Sequence, residues 1–420
     1  MLKRSLNRSA PGTLQSLNRR DVCRCSSDIS RRNGRAAQPA KRGIFDATYP
    51  RLFAQGIPGL ARTLLMIIAS LVSTAQALAD SDHAVVLLYH HVSDRTPPST
   101  SVSPQQFRRH LEFLHEHDFE VWPLERVIER ILDPSPSAPD NVVAITFDDA
   151  YESVHDQAWP MLEKYGWTAT VFVNTDAVDQ GHEPYMDWDQ LRELAEAGFA
   201  LGNHSASHAH LLERESGESD AEWRRRVTQD IRRAESRILD ETGLGTRLFA
   251  YPFGEDSTEL AGLIDSLGYR GLTQRSGAIG AHTDDRAIPR FPMAQGFDSI
   301  ERLELAVRSR PLPVTHVRYQ PPREHGVVEN PTALHFEVRP DGWRQSQLAC
   351  YSASGTRLEQ RLEDHNEAAA AVTVEIADHG KPGRNRLNCT APAEDGSGDY
   401  YWHAFQWLQL RPDGTWARDN

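Results

Sequence analysis

The chain has 420 residues, 39% hydrophobic and 25% charged, which is enough for two or three domains with buried cores and excludes a long disordered chain. Its net charge of −13 is uneven: the first 80 residues carry 13 Lys/Arg against 4 Asp/Glu, and the others 33 against 55. So acidic a body argues against nucleic acid as a partner, and no run of about 18 uninterrupted apolar residues marks a membrane span.

The leader comes first. Residues 1–50 are rich in Arg, Ser and Asn and lack periodicity, so no packed structure is expected there. Arg62 then precedes an apolar run, 64–72, and Ala77-Leu78-Ala79 follows, which is the order of a secretory signal. Residues 1–79 are therefore expected to be a basic leader with a signal peptide. The mature protein is expected to be exported, periplasmic or secreted, with no transmembrane anchor after cleavage. Cys23 and Cys25 lie in this leader, and C-x-C alone is too little for a zinc site. Cys350 and Cys389, far apart near the other end, fit one disulfide in an exported protein, with two free buried thiols as the alternative.

From His83 the pattern changes. Val85 to Tyr89, Val142 to Phe147, Ala169 to Val173, Phe199 to Leu201 and Leu248 to Tyr251 are short apolar runs that predict buried strands. Helical patterns lie between them. Phe107, His110, Leu111 and Leu114 share one stripe, and Trp223, Val227, Ile231, Ala234 and Ile238 another. Strands alternating with amphipathic helices over 80–310 predict a parallel sheet, open or closed into a barrel, with chemistry at the carboxyl ends of its strands. Pro311, Pro313, Pro321 and Pro322 read as a linker over 311–325. Beyond it, Leu334/Phe336/Val338, Leu348/Cys350 and Val372/Val374/Ile376 alternate as strands do, so 326–420 is expected to be a small all-β, sandwich-like domain.

Three clusters fall at predicted strand ends. Thr146-Phe147-Asp148-Asp149-Ala150 places two adjacent carboxylates where they are costly unless they hold a cation or a proton, although an Asp there can simply cap a helix. His204 and His208, in Asn203-His204-Ser205-Ala206-Ser207-His208, are spaced to meet one divalent ion, and with Asp149 they make an Asp-His-His set. That set suits zinc first, and also iron, cobalt or nickel. The third cluster is Arg247-Leu248-Phe249-Ala250-Tyr251-Pro252-Phe253-Gly254, a strand running into a turn where the Phe253 N–H is free to face a developing oxyanion, although an ordinary turn would read the same. His182 and His210 read as structural.

In their order and spacing, TFDDA, HSASH and FAYPFG resemble the polysaccharide deacetylase (NodB-homology) family, carbohydrate esterase family 4, over about residues 84–300. The resemblance implies a distorted (β/α) barrel and metal-dependent hydrolysis of N-acetyl groups on a hexosamine polymer. It implies Asp148 as base and Asp149, His204 and His208 as metal ligands. The family has an arginine where this chain has Ala250, and Arg290 or Arg247 is expected to replace it. Leu88-Tyr89-His90-His91-Val92 resembles the rearranged subgroup of periplasmic poly-N-acetylglucosamine deacetylases, which implies His90 as catalytic acid, with His316 as the rival in the usual motif order. The expected partners are an N-acetylated glycan and the machinery that handles envelope polysaccharide.

Two other function classes stay open at this level. One is an amidase or esterase for small acylated substrates on the same scaffold. The other is a non-catalytic glycan-binding protein that uses Tyr400, Tyr401, Trp402, Phe405, Trp407 and Trp416, although such aromatics also serve as ordinary packing.

Overall fold

A parallel strand series organises residues 83–292 of the chain. The computed structural model describes residues 83–132, 141–322, 327–328, 331–364, 369–377, 381–413 and 415–417, all within one compact unit, Thr63–Asn420. The expected leader and signal peptide, with Cys23 and Cys25, lie outside the described residues. Among the described residues no helix is long and apolar enough to cross a membrane.

The principal strands of this part are β1 (His83–Tyr89), β2 (Val142–Phe147), β3 (Thr170–Val173), β4 (Ala200–Asn203), β5 (Leu248–Ala250), β6 (Arg270–Leu272) and β7 (Phe291–Pro292). Strands β1 to β6 are neighbours in that order, all parallel. The sheet then curls back on itself. Ile288 bridges Leu272 in parallel, and β7 pairs with Leu87 and Leu88 of β1. The segment 288–292 thus spans from the last strand to the first, which gives the distorted (β/α) barrel.

Alternation sorts the strand residues. Ala84, Val86, Ala144, Phe172, Ala250 and Leu272 belong to one buried cluster, plugged by α2 (Leu124–Leu132). Val85, Leu87, Val143, Ile145 and Val171 belong to another, beneath helices that include α1 (Pro104–Glu116) and α3 (Trp188–Glu196). Both faces are covered, so the strands read as continuous apolar runs. The long helix α4 (Asp220–Thr242) starts at a capping box, Ser219 with Glu222, and stops at Gly243 in the left-handed conformation. Its expected stripe, Trp223 to Ile238, is buried.

The remaining strands build two four-stranded sheets. One holds β8 (Arg310–Pro311), β15 (Tyr400–Gln409), β14 (Gly383–Pro392) and β11 (Ala349–Ser352) in spatial order. The other holds β9 (Val314–Gln320), β10 (Ala333–Val338), β13 (Ala370–Glu375) and β12 (Gln360–Asp364). A shared core joins them, with Leu334, Phe336 and Val372 from one sheet against Leu387, Phe405 and Trp407 from the other. This is the additional β structure at the C-terminus. Cys350 and Cys389 are disulfide-bonded and stand opposite each other on adjacent strands, so the bond ties two strands of one sheet rather than the two sheets.

The Pro-rich stretch read as a linker is instead largely strand. Arg310 and Pro311 pair in parallel with Tyr401 and Trp402 at a sheet edge, where the missing proline N–H costs nothing, and 314–320 forms all of β9. The terminal aromatics are mostly packing: Tyr401, Trp402, Phe405, Trp407 and Trp416 are buried, and only Tyr400 of the six stands exposed.

Candidate metal centre and active site

The mouth of the barrel gathers the ends of β1, β2, β4 and β5. Asp148 and Asp149 follow β2, His204 follows β4, and Ala250 closes β5. Asp149 Oδ1 lies 3.3 Å from His204 Nε2 and 3.1 Å from His208 Nε2, and the three ligand atoms all lie within 4.8 Å of one another. Asp149 Oδ1 and His204 Nε2 are buried with no hydrogen-bond partner, although a buried polar atom is normally satisfied. Three convergent lone-pair donors with orphaned atoms fit a divalent cation.

Backbone and side-chain bonds set this geometry. The Ala250 carbonyl lies 2.8 Å from His204 Nδ1, so a proton on Nδ1 leaves the Nε2 lone pair facing Asp149. Asn203 Oδ1 accepts from the Ser205 N–H at 2.8 Å, while the Asn203 amide donates to the Ile231 carbonyl of α4 at 2.8 Å. Ser205 Oγ in turn accepts from the His208 N–H at 2.9 Å. Five side-chain-bearing residues of the mouth have positive φ: Asp149, Ala150, Ser205, His208 and Phe253. Such conformations cost about 1–3 kcal/mol each and persist where the surroundings over-determine them.

Asp148 takes a different partner. Arg290 is fully buried and donates from Nη1 to Oδ1 at 2.7 Å and from Nη2 to Oδ2 at 2.8 Å. Its Nε donates to the Thr273 carbonyl at 2.9 Å, and Nη1 also reaches Thr146 Oγ1 at 3.2 Å. Of the two arginines expected to stand in for the family's motif residue, the structure brings Arg290 to the carboxylate. Arg247 is exposed and pairs with Glu235.

Burial works against both carboxylate charges, and the partners outweigh it. Arg290 and then His204 hold Asp148 below the usual carboxylate range, while His208 and His204 hold Asp149 well below it. Burial likewise pushes His204 down, but the charges of Asp148 and Asp149 leave it raised.

His90 lies beside this pair. Tyr89 is in register with Phe147, and the Asp148 N–H donates to the Tyr89 carbonyl at 3.0 Å, so the residues after each strand are neighbours. His90 continues the alternate row of Ala84 and Val86, the row on which Asp148 also falls. Burial lowers its pKa; Asp149 and Asp148 pull it upward, and Arg290 and His204 push it down again. His91 points elsewhere and stacks on Tyr151 with ring centroids 3.5 Å apart. His316 sits in the C-terminal sheet, exposed and paired with Glu337 at 2.9 Å.

The Phe253 turn borders the ligands. Its ring meets His208 edge-on at 4.6 Å and stacks on His210 at 3.9 Å. The Phe253 N–H makes no hydrogen bond to another described residue. Sequence reasoning missed two neighbours. Tyr151 lies against Asp149 and Tyr185, and burial and then the Asp149 charge raise its pKa. His210, read as structural, is held by Glu255 at 3.0 Å beneath the Phe253 ring. A signal for Tyr151 was its place two residues after Asp149; nothing local marked His210.

Comparison with known proteins finds similarity over this part of the chain. A family model described as polysaccharide deacetylase matches residues 135–272, a span that holds both aspartates, both metal-site histidines and the Phe253 turn but neither His90 nor Arg290. YxkH of Bacillus subtilis, named as a polysaccharide deacetylase, is 26% identical over 213 residues, 50% of this chain and 71% of YxkH. The poly-beta-1,6-N-acetyl-D-glucosamine N-deacetylase of Staphylococcus aureus is 24% identical over 221 residues, 51% of this chain and 75% of the relative. The solved Streptococcus pyogenes deacetylase PplD is 22% identical with a TM-score of 0.48, covering 54% of this chain and 98% of PplD. Residues 135–272, about a third of the chain, are thus similar to the polysaccharide deacetylase family, with the matched motifs on the strand ends of one barrel.

Proposed function

We propose that the protein is a metal-dependent hydrolase that removes N-acetyl groups from an N-acetylhexosamine polysaccharide of the cell envelope, acting after export. The observation that carries this reading is the division of labour between adjacent carboxylates: Asp149 faces two histidines, and Asp148 faces a buried arginine. A glycan-binding protein has no use for that division.

Asp149, His204 and His208 would hold the cation, zinc first among the candidates, with iron, cobalt or nickel also suited. A divalent ion there supplies Lewis acidity, which acidifies water and polarises an amide carbonyl. Asp148 accepts the proton of the attacking water, and Arg290 fixes both its oxygens and keeps it ionised for that task. The Phe253 N–H donates to the oxyanion that develops on the acetyl carbon's oxygen. His90 gives a proton to the leaving amine as the C–N bond breaks, yielding acetate and a free amino sugar. The named S. aureus relative supports poly-N-acetylglucosamine as the first substrate to try. The Cys350–Cys389 disulfide and the signal-like segment before Asp80 support export.

Acetate release from N-acetylated glycans, measured with chelator and with each metal restored, tests the reading. Metal-dependent release from an N-acetylglucosamine polymer is expected. Release only from small acyl esters or amides would replace it with the amidase or esterase reading, and no release from any substrate would leave a binding role.

A further inference from the structure

We infer that the C-terminal β domain is a working part of the active site: through Arg384 and Gln406 it holds the 252–256 turn in the conformation that aims the Phe253 N–H. The catalytic meaning of that N–H rests on the deacetylase reading above; the contact itself does not.

The turn is conformationally expensive. Phe253 lies at φ 57° and ψ 6°, and Gly254 follows at φ 66°. A left-handed phenylalanine is an outlier that needs outside support. Part of that support comes from the barrel half, where His210 stacks on the Phe253 ring and Glu255 holds His210. The rest comes from more than a hundred residues further along the chain. Arg384 Nη1 donates to the Phe253 carbonyl and, at 3.0 Å, to Gln274 Oε1. Gln406 Nε2 donates to the Gly254 carbonyl at 2.8 Å and to Asp256 Oδ1 at 3.1 Å. Two successive carbonyls of the turn are thus held from one sheet.

Strand register explains the alignment. Arg384 and Arg386 are two apart on β14, and Gln406 stands opposite Arg386 on β15, so all three side chains leave one face of the sheet. Arg386 Nη1 reaches the Gln274 carbonyl at 3.3 Å, fixing the neighbouring loop from the same face. Gly254 marks how close this approach is. A Cβ there would lie 2.5 Å from Arg384 Nη1 and 2.6 Å from Gln274 Cβ. No side chain fits between the turn and the arginine, and glycine supplies the positive φ as well.

Arg384 and Gln406 touch no reacting atom. They are positioning residues, and their effect runs through the carbonyls that set the orientation of the turn. Freed from them, Phe253 relaxes toward ordinary backbone angles and its N–H swings away from the oxyanion. A misplacement of about 1 Å is enough to cost on the order of 10²-fold in rate.

The test uses the full chain with Arg384→Ala, Gln406→Ala, the double variant and Arg384→Lys. Amide hydrogen exchange over 251–257 is measured beside kcat and KM on an N-acetylglucosamine oligomer. Expected are exchange faster by roughly tenfold or more, confined to that turn, and a kcat lower by about 10–100-fold with KM little changed. Arg384→Lys should recover part of both. Wild-type exchange in the turn of the double variant would overturn the inference, as would fast exchange with unchanged kcat. If the wild type releases no acetate, the deacetylase reading fails while the exchange rates still decide whether this domain holds the turn. If the double variant does not fold, Arg384→Lys carries both readouts alone.

Discussion

Asp148 and Asp149 are sequence neighbours whose partners divide their chemistry. Asp148→Asn keeps the shape but removes the proposed base and one of the two acceptors for Arg290, so turnover should fall by about 10²–10⁴-fold with metal content unchanged by elemental analysis. Near-wild-type turnover would move the base elsewhere. His90 and His316 are separated in the same way: His90→Ala should lose a similar factor in acetate release, and His316→Ala, exposed and paired with Glu337, should lose none. The reverse outcome would restore the usual motif order. Metal affinity should depend on pH through His204. Its pKa is raised above 6.5 by Asp148 and Asp149, and a proton on Nε2 excludes a cation. Asp149, held well below its usual value, stays ionised throughout. Affinity should therefore drop as pH falls from neutral, by about tenfold per unit where one proton is exchanged, in competition with a chromophoric chelator. A flat profile between pH 8 and 5.5 would show that His204 is not a ligand.

At the scale of elements, Arg290 matters because of the strand that brings it. Segment 288–292 joins β6 to β1, and this puts Arg290 against a carboxylate 142 residues earlier in the chain. Arg290→Met should leave Asp148 buried and uncompensated, costing about 3–5 kcal/mol in denaturant unfolding and raising the Asp148 pKa. Arg290→Lys keeps the charge but loses the two-pronged fork, so it should restore stability better than turnover. Equal stability in all three proteins would mean that the pair is not buried in solution. The same long-range closure explains what could be read from the sequence. Strands β1 to β5 and the stripe of α4 were legible because apolar runs and helical spacing are local signals. The carboxylates and His204 were legible because each directly follows such a strand. The choice between Arg290 and Arg247 was not, since only closure of the sheet decides which one reaches Asp148. The linker reading of 311–325 missed β8 and β9 because a proline that breaks a central strand is harmless at an edge, as Pro311 is.

At the scale of the molecule, the C-terminal sheets complete the barrel half rather than hang from it. Trp402 belongs to the same buried cluster as Leu87 and Phe147 and meets Phe291 of the closing strand edge-on at 5.5 Å. Leu408 and Trp416 share a second cluster with Phe249, Tyr251 and Ile264. Arg302, in the helix Ile300–Val307, lies 4.9 Å from the Trp402 ring centroid. Removing residues 310–420 would expose all of these apolar surfaces at once. Loss of a buried large aromatic alone costs about 3–5 kcal/mol, a large share of the 5–15 kcal/mol that holds a domain folded. A chain ending at Ser309 should therefore aggregate or unfold well below the full-length midpoint, and its site should fail even where the metal ligands are intact. Because Trp402 is packed in the buried cluster of the barrel half, Trp402→Ala in the full chain should reproduce part of the loss as a lowered unfolding midpoint. A truncated chain that matched the full-length protein in thermal unfolding and in acetate release would show instead that the barrel half folds and works alone. The packing of Trp402 against Phe291, one residue from Arg290, argues for the first outcome: the surface that anchors the β domain also backs the strand that delivers the arginine to Asp148.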